Sequence, residues 1–272
     1  MTRTIAHRGG RLAYEVSGSG PVVLFIQGVG VHGSGWQPQI EALADRYTCI
    51  AFDNPGLGGS IPVPATITVG DIGDAACAIL DAEGAAAVQV VGHSLGGAVA
   101  LTLALRHRQR VRSLALLCTF ASGKSAAPLT GRMMWWGMRS RLGTRRMRRR
   151  GFLGLVHAPG ALAGADLEAL ADRIGTLFGH DLADQPAVVP KQLRAMRAFD
   201  MIDELSALAG LPTLVVGATH DPIAPPALGR ALAAGIPGAR FVEAAGASHG
   251  LPITHAAWVN ELLVEHLAAS AS

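Results

Sequence analysis

The stretch Val90–Gly97, Val-Val-Gly-His-Ser-Leu-Gly-Gly, constrains the fold more than any other part of the chain. It follows the small and β-branched run Ala85–Val91 and precedes the apolar run Ala98–Leu105, which suits a buried helix. A serine inside Gly-x-Ser-x-Gly at a strand-to-helix junction is the pattern of a nucleophile elbow. Such a turn is tight, so Gly92 and Gly96 are expected where the strand and helix backbones nearly touch. Ser94 should then occupy a strained backbone position with its hydroxyl above the sheet. The helix behind it offers unpaired N–H groups and a positive dipole end to a developing oxyanion. An ordinary Gly-rich βα turn can carry the same five letters, so the rest of the chain must decide.

Two later loops supply the partners that an elbow serine needs. Pro212–Gly217 reads as a buried strand, and Asp221 lies on the loop after it. Arg240–Glu243 reads as another short strand, and Ala-Ala-Gly-Ala-Ser-His-Gly then places His249 on the next loop. In open α/β sheets, reacting groups gather at the C-terminal ends of strands, so Ser94, Asp221 and His249 are expected to meet. The order Ser…Asp…His is the one that goes with a mid-sheet elbow. Separately, Asp221 before Pro222 could be a turn-former and His249 a loop histidine. Their joint placement at matching strand ends favours a triad.

A second backbone donor for an oxyanion normally comes from the loop after an early strand. Val22–Ile26 is a continuous apolar run, followed by the glycine-rich loop Gln27–Trp36. With Asp-Asn-Pro-Gly-Leu-Gly-Gly-Ser at 53–60, the elbow, and the acid and histidine loops, nearly the whole chain resembles the α/β-hydrolase fold family. The resemblance implies the N–H groups of Val29 and Leu95 as oxyanion donors. Many members have His-Gly where this chain has Gln27-Gly28, and Gln27 is expected to keep a hydrogen-bonding role.

The remaining pattern alternates strands and helices. Arg11–Ser17 and Val22–Ile26 read as neighbouring strands, Trp36–Arg46 as a helix and Tyr47–Phe52 as a strand. Asp71–Ala82 reads as a helix, Arg112–Thr119 as a strand and Trp258–Ala268 as an amphipathic helix. This predicts an α/β fold: a mostly parallel central sheet with helices on both faces. The segment from about Ser122 to Pro190 breaks the alternation. The expected organisation is a hydrolase core over residues 1–121 and 191–272, with a helical lid inserted at 122–190. Half the residues are hydrophobic and 16% are charged, which excludes extensive disorder. The N-terminal segment lacks an apolar signal region, so a cytoplasmic location is expected. Gly84–Leu105 carries no formal charge, but the elbow inside it argues for strand and helix rather than a membrane span. Cys49, Cys77 and Cys118 are widely spaced and fit core positions rather than disulfides or a metal site.

Within the lid, Trp135 and Trp136 lie beside Met133, Met134 and Met138, a composition that suits an apolar substrate or plain packing. Substrate contacts are expected from Gly28, His93, Met134, Trp135 and Trp136. No acid occurs between Gly84 and Ala165, while Arg139, Arg141, Arg145, Arg146 and Arg148–Arg150 crowd one short part of the lid. A solvated helix face explains such a run, and so does steering of an anionic or carrier-bound substrate. No nucleic-acid-binding pattern accompanies it.

Together these features predict a serine hydrolase. Ser94 would attack an ester, lactone or thioester of a small, largely apolar molecule, with His249 as base and Asp221 as its orienter. Neither metal nor organic cofactor is expected, and the partner is a small-molecule substrate, with no nucleic acid or membrane. A serine in place of an aspartate nucleophile argues against haloalkane dehalogenase or epoxide hydrolase chemistry. The same triad could serve C–C bond hydrolysis, cofactor-free perhydrolysis, acyl transfer, or non-hydrolytic cyclisation or elimination. The scaffold could also act as a ligand-binding sensor.

Overall fold

The computed structural model describes residues 2–124 and 131–270, apart from the side chains of Arg132, Met133 and Trp136. The strands are β1 (Thr2–His7), β2 (Gly10–Ser17), β3 (Val22–Ile26), β4 (Thr48–Phe52), β5 (Val88–His93), β6 (Val111–Leu117), β7 (Thr213–Ala218) and β8 (Arg240–Ala244). They form one sheet in the order β1-β2-β4-β3-β5-β6-β7-β8. Pairing is antiparallel for β1–β2 and β2–β4 and parallel from β4 through β8. The reading of Arg11–Ser17 and Val22–Ile26 as neighbours is therefore corrected, because β4 separates β2 from β3. Short turns usually join paired strands, but β3 is apolar at every position and belongs at the centre, covered on both faces. Leu24 and Ile26 face one core while Val23 and Phe25 face the other.

Helices close both faces. On one side lie α1 (Gln37–Leu43) and the C-terminal α10 (Ala256–Ala269), reached through the short α9 (Leu251–Thr254). These contribute Ile40, Leu43, Val259, Leu263 and Leu267 to one core. On the other lie α2 (Val69–Ala82) and α3 (Leu95–Arg106), with Ile72, Ile79, Val99 and Leu103 buried. A capping box starts α2, in which Thr68 accepts from the Asp71 N–H and Asp71 accepts in return from that of Thr68. Each large side chain so buried contributes about 1.5–3 kcal/mol relative to exposure. The uncharged stretch Gly84–Leu105 is thus divided between β5 and α3, and no helix among the described residues is long and apolar enough to cross a membrane.

Between β6 and β7 the chain forms α4 (Gly131–Arg139), α5 (Arg145–Val156), α6 (Leu167–Phe178) and α7 (Val189–Ala198). Residue 190, the expected end of the insertion, lies one residue into α7, which packs on α2 and α3. A small core of Leu153, Ala171, Ile174, Phe178 and Leu182 holds this cap together, and Val31 from the loop after β3 completes it. The strand β1 and the helix α8 (Pro226–Gly235) have no counterpart in the sequence reading. β1 is a largely exposed edge strand in which Ile5 is the one large apolar residue, too little for an apolar pattern.

Candidate active site

The path from β5 into α3 turns at Ser94, whose backbone sits at φ 55° and ψ −118°. Few non-glycine residues adopt a positive φ, and holding one there costs of order 1–3 kcal/mol. Neighbouring glycines make the turn possible. A Cβ on Gly92 would lie 2.4 Å from Gly96 O, and one on Gly96 would lie 2.0 Å from Ile26 O. The strand and helix therefore approach as closely as the sequence motif implies. The turn is pinned from β6 and its following residues: the Ser94 N–H donates to Leu117 O (3.0 Å), and Thr119 Oγ1 donates to Ser94 O (2.7 Å).

Asp221 and His249 come to Ser94 from the loops after β7 and β8. His249 Nε2 lies 3.0 Å from Ser94 Oγ, and His249 Nδ1 lies 2.7 Å from Asp221 Oδ2. All three residues are buried. Asp221 is also the turn-former that Asp-Pro suggests, since its Oδ1 accepts from the N–H groups of Ile223 (2.7 Å) and Ala224 (2.9 Å). Burial works to raise its pKa, but the facing His249 and these hydrogen bonds outweigh it. Its pKa is left below the ordinary carboxylate value. A fixed, ionised acid of this kind holds the imidazole in one tautomer and favours its protonated form.

Two further buried groups touch this constellation. His93, inside the elbow, places Nε2 2.9 Å from His249 O, and the two rings are 4.9 Å apart. Burial and then the neighbouring His249 push its pKa down to about 3, so it is a neutral ring whose Nε2–H donates. The residue expected to bind substrate therefore also braces the histidine loop. Cys118 follows β6 at φ 49° beside Asp221, and burial pushes its thiol well above its usual range. Donor atoms of His93, Cys118 and His249 lie within 4.8 Å of one another, a spacing open to a metal ion. Of these atoms, His93 Nε2 is committed to His249 O and the His249 ring nitrogens to Asp221 and Ser94.

The glycine-rich loop after β3 runs beside the elbow. A Cβ on Gly28 would meet Ser94 Cβ at 3.2 Å and His93 Nδ1 at 3.3 Å. A larger residue here would have to push the elbow side chains aside by a few tenths of an ångström. Among the described residues neither the Val29 N–H nor the Leu95 N–H donates to a protein acceptor, and Leu95 opens α3. Gln27 is buried, its Oε1 accepts from Gly28 N (3.1 Å), and its carbonyl accepts from Asn54 Nδ2 (3.2 Å).

Above Ser94 lies a cavity of about 1280 Å³. Its walls include Val29, Phe120, Phe152, Leu193, Met196 and Ile253. Met134 and Trp135 line its outer part and remain 58% and 50% exposed, so they are not consumed by packing within the cap. The side chain of Trp136 lies outside the described residues. Three cap arginines meet acids: Arg145 reaches Asp181 (2.9 Å) and Asp184 (3.2 Å), Arg146 reaches Glu168, and Arg149 reaches Asp172, Glu168 and Asp181. Part of the basic run is thus an ion-pair seam between α5 and the α6 region. Arg139 instead stacks over Trp135 at 5.3 Å.

Sequence reading missed Cys118 and Thr119, and also His180 in the cap and Gln192 on α7, which bond the glycine-rich loop. No local motif marks any of them. A family model described as alpha/beta hydrolase fold matches residues 21–256. A relative from Klebsiella pneumoniae, named "Putative carbamate hydrolase RutD", is 30% identical over 92% of each chain. Among solved structures, the enol-lactonase from Burkholderia xenovorans superposes with a TM-score of 0.82 at 25% identity, covering 98% of this chain and 100% of that one. A thermophilic esterase from Thermogutta terrifontis gives 0.81 at 26% identity, covering 100% of both.

Proposed function

The chain belongs to the α/β-hydrolase fold family, and from that premise we propose that it is a serine hydrolase cleaving an ester or lactone of a largely apolar small molecule. One observation carries the reading: Ser94, His249 and Asp221 form a continuous hydrogen-bonded line at the floor of an apolar cavity. His249 takes the Ser94 proton as Oγ attacks the carbonyl carbon. The resulting oxyanion accepts from the Val29 and Leu95 N–H groups. Collapse breaks the bond to the leaving alcohol, which receives the proton from His249. Water, deprotonated by His249, then attacks the acyl-enzyme and releases the acid and free Ser94.

The names of the relatives widen the candidates to carbamates, whose carbonyl the same nucleophile would attack. A cavity of about 1280 Å³ with Phe120, Phe152, Leu193 and Met196 in its walls favours a substrate with a bulky apolar part over a bare carbamate group. The helical insertion serves as the lid, with Trp135 and Met134 at its mouth. A fluorophosphonate probe should label Ser94 in the native protein and leave Ser94→Ala unlabelled. Hydrolysis of p-nitrophenyl esters should rise with acyl length, and small carbamates should turn over poorly. Absence of both labelling and ester turnover in folded protein overturns the reading.

A further inference from the structure

The cap does more than cover the cavity: it grips the loop proposed to bind the oxyanion. Gly30 follows Val29 and has both halves of its peptide functionality bonded to side chains from the segment between β6 and β7. Its N–H donates to Gln192 Oε1 on α7 (2.9 Å), and its carbonyl accepts from His180 Nε2, just after α6 (2.8 Å). Two further bonds follow along the loop: His32 N–H donates to Phe178 O (3.2 Å), and Ser34 Oγ donates to Leu177 O (2.8 Å).

The fit leaves little slack. Gly30 has φ 74°, and a Cβ there would lie 2.9 Å from Val189 on α7. Gly179 has φ 79°, and a Cβ there would lie 2.2 Å from the His32 ring. Val31 is meanwhile buried in the cap's own core. Gln192 is fully buried, so its bond to Gly30 is shielded from water, where a lost hydrogen bond is costly.

We infer that Gln192 and His180 are positioning residues that set the Val29 N–H by clamping the peptide groups of Gly30. The hole that receives the oxyanion is then assembled jointly by the core and the cap. The consequence is specific. Loosening the clamp should harm stabilisation of the tetrahedral state, even for a substrate too small to reach the cap walls. It should leave the Ser94–His249–Asp221 line untouched.

The inference rests on the serine hydrolase reading, and the test separates the two. Wild type is first shown to label at Ser94 with a fluorophosphonate and to hydrolyse p-nitrophenyl acetate. Gln192→Met removes the acceptor at similar size; His180→Leu removes the donor, whereas His180→Gln keeps one. For the Met and Leu variants, kcat on p-nitrophenyl acetate should fall about tenfold or more with KM within about twofold. Affinity for phenylboronic acid, whose Ser94 adduct places an oxygen in the hole, should fall in parallel. The acid limb of the kcat–pH profile should not move, and His180→Gln should recover most of the loss seen in His180→Leu. If Gln192→Met does not fold, the His180 pair carries the same test from the other side of Gly30. Unchanged kcat and boronate affinity in an active-protein background overturn the clamp alone. Equal losses in the conservative and disruptive variants, tracking lowered Tm, also overturn it. A wild type that neither labels nor turns over ester overturns the hydrolase reading and the clamp with it.

Discussion

Ser94 combines two demands that are separable by mutation. Its hydroxyl meets His249, while its backbone is held at φ 55° by the packing of Gly92 and Gly96. Ser94→Ala and Ser94→Gly should both lose ester turnover, on the order of 10³-fold or more. Their stabilities should differ, because glycine accepts a positive φ without the Cβ penalty. Thermal melts should place Ser94→Gly above Ser94→Ala by about 1 kcal/mol; equal melting temperatures would mean the elbow stores no strain. Asp221→Asn tests the other end of the line. Its Oδ1 contacts with Ile223 and Ala224 can persist, so the loop should hold. The amide cannot favour the His249 tautomer or its cation, and kcat should fall about 10⁴-fold with KM little changed. Near-normal kcat would require a different acid. Asp221 and His249 were legible from sequence because each follows a strand at a position that the sheet makes convergent. Cys118 was not, since a cysteine after an apolar strand looks like core until Asp221 is seen beside it.

Ion pairs add to the small apolar core that holds the cap helices together. Asp181 receives Arg149 and Arg145, and the hydrogen bond from Arg149 is the chief reason its pKa lies below the ordinary carboxylate value of 3.8. A carboxyl group depressed on folding contributes stability that is complete above its unfolded pKa and is lost as pH falls through its folded one. Asp181→Asn should therefore lower the melting temperature at neutral pH, and the gap to wild type should shrink as pH falls below about 4. A gap independent of pH would deny Asp181 an electrostatic role. Charge reversal at Arg145 and Arg146 would act on the same seam. With acids opposite both, reversal strains the α5–α6 contact for every substrate rather than altering attraction of anions alone. Trp135 belongs to a different surface of the cap, half exposed at the cavity mouth. Trp135→Ala should weaken turnover of long-chain esters about tenfold more than that of p-nitrophenyl acetate. Equal losses on both would make it a packing residue.

Across the whole molecule, the parts legible in advance are those with short-range grammar: apolar runs, the elbow, and loops at strand ends. Val22–Ile26 and Pro212–Gly217 announced buried strands because burial on both faces removes polar alternation. What escaped the sequence is contact made over long separations. Gln192 and His180 reach Gly30 across 162 and 150 positions, and nothing near either residue marks it as part of a site. The order of β2, β4 and β3 escaped for the same reason, since chain proximity suggested a pairing that sheet burial overruled. Those long contacts also bear on how the protein unfolds. The cap cluster of Leu153, Ala171, Ile174, Phe178 and Leu182 is completed by Val31, and Ile253 from the body packs against it. The cap's small core is therefore shared with the loop after β3 and with Ile253, and the cap should not melt on its own. Calorimetry should show a single transition, and Leu153→Ala, at a fully buried position, should move that whole transition downward by about 2–5 kcal/mol of stability. Hydrogen exchange should agree, with amides of α6 and β3 losing protection together in the variant. A separate early transition confined to residues 131–198 would show instead that the cap folds on its own account, and the shared core would then be contact without cooperativity.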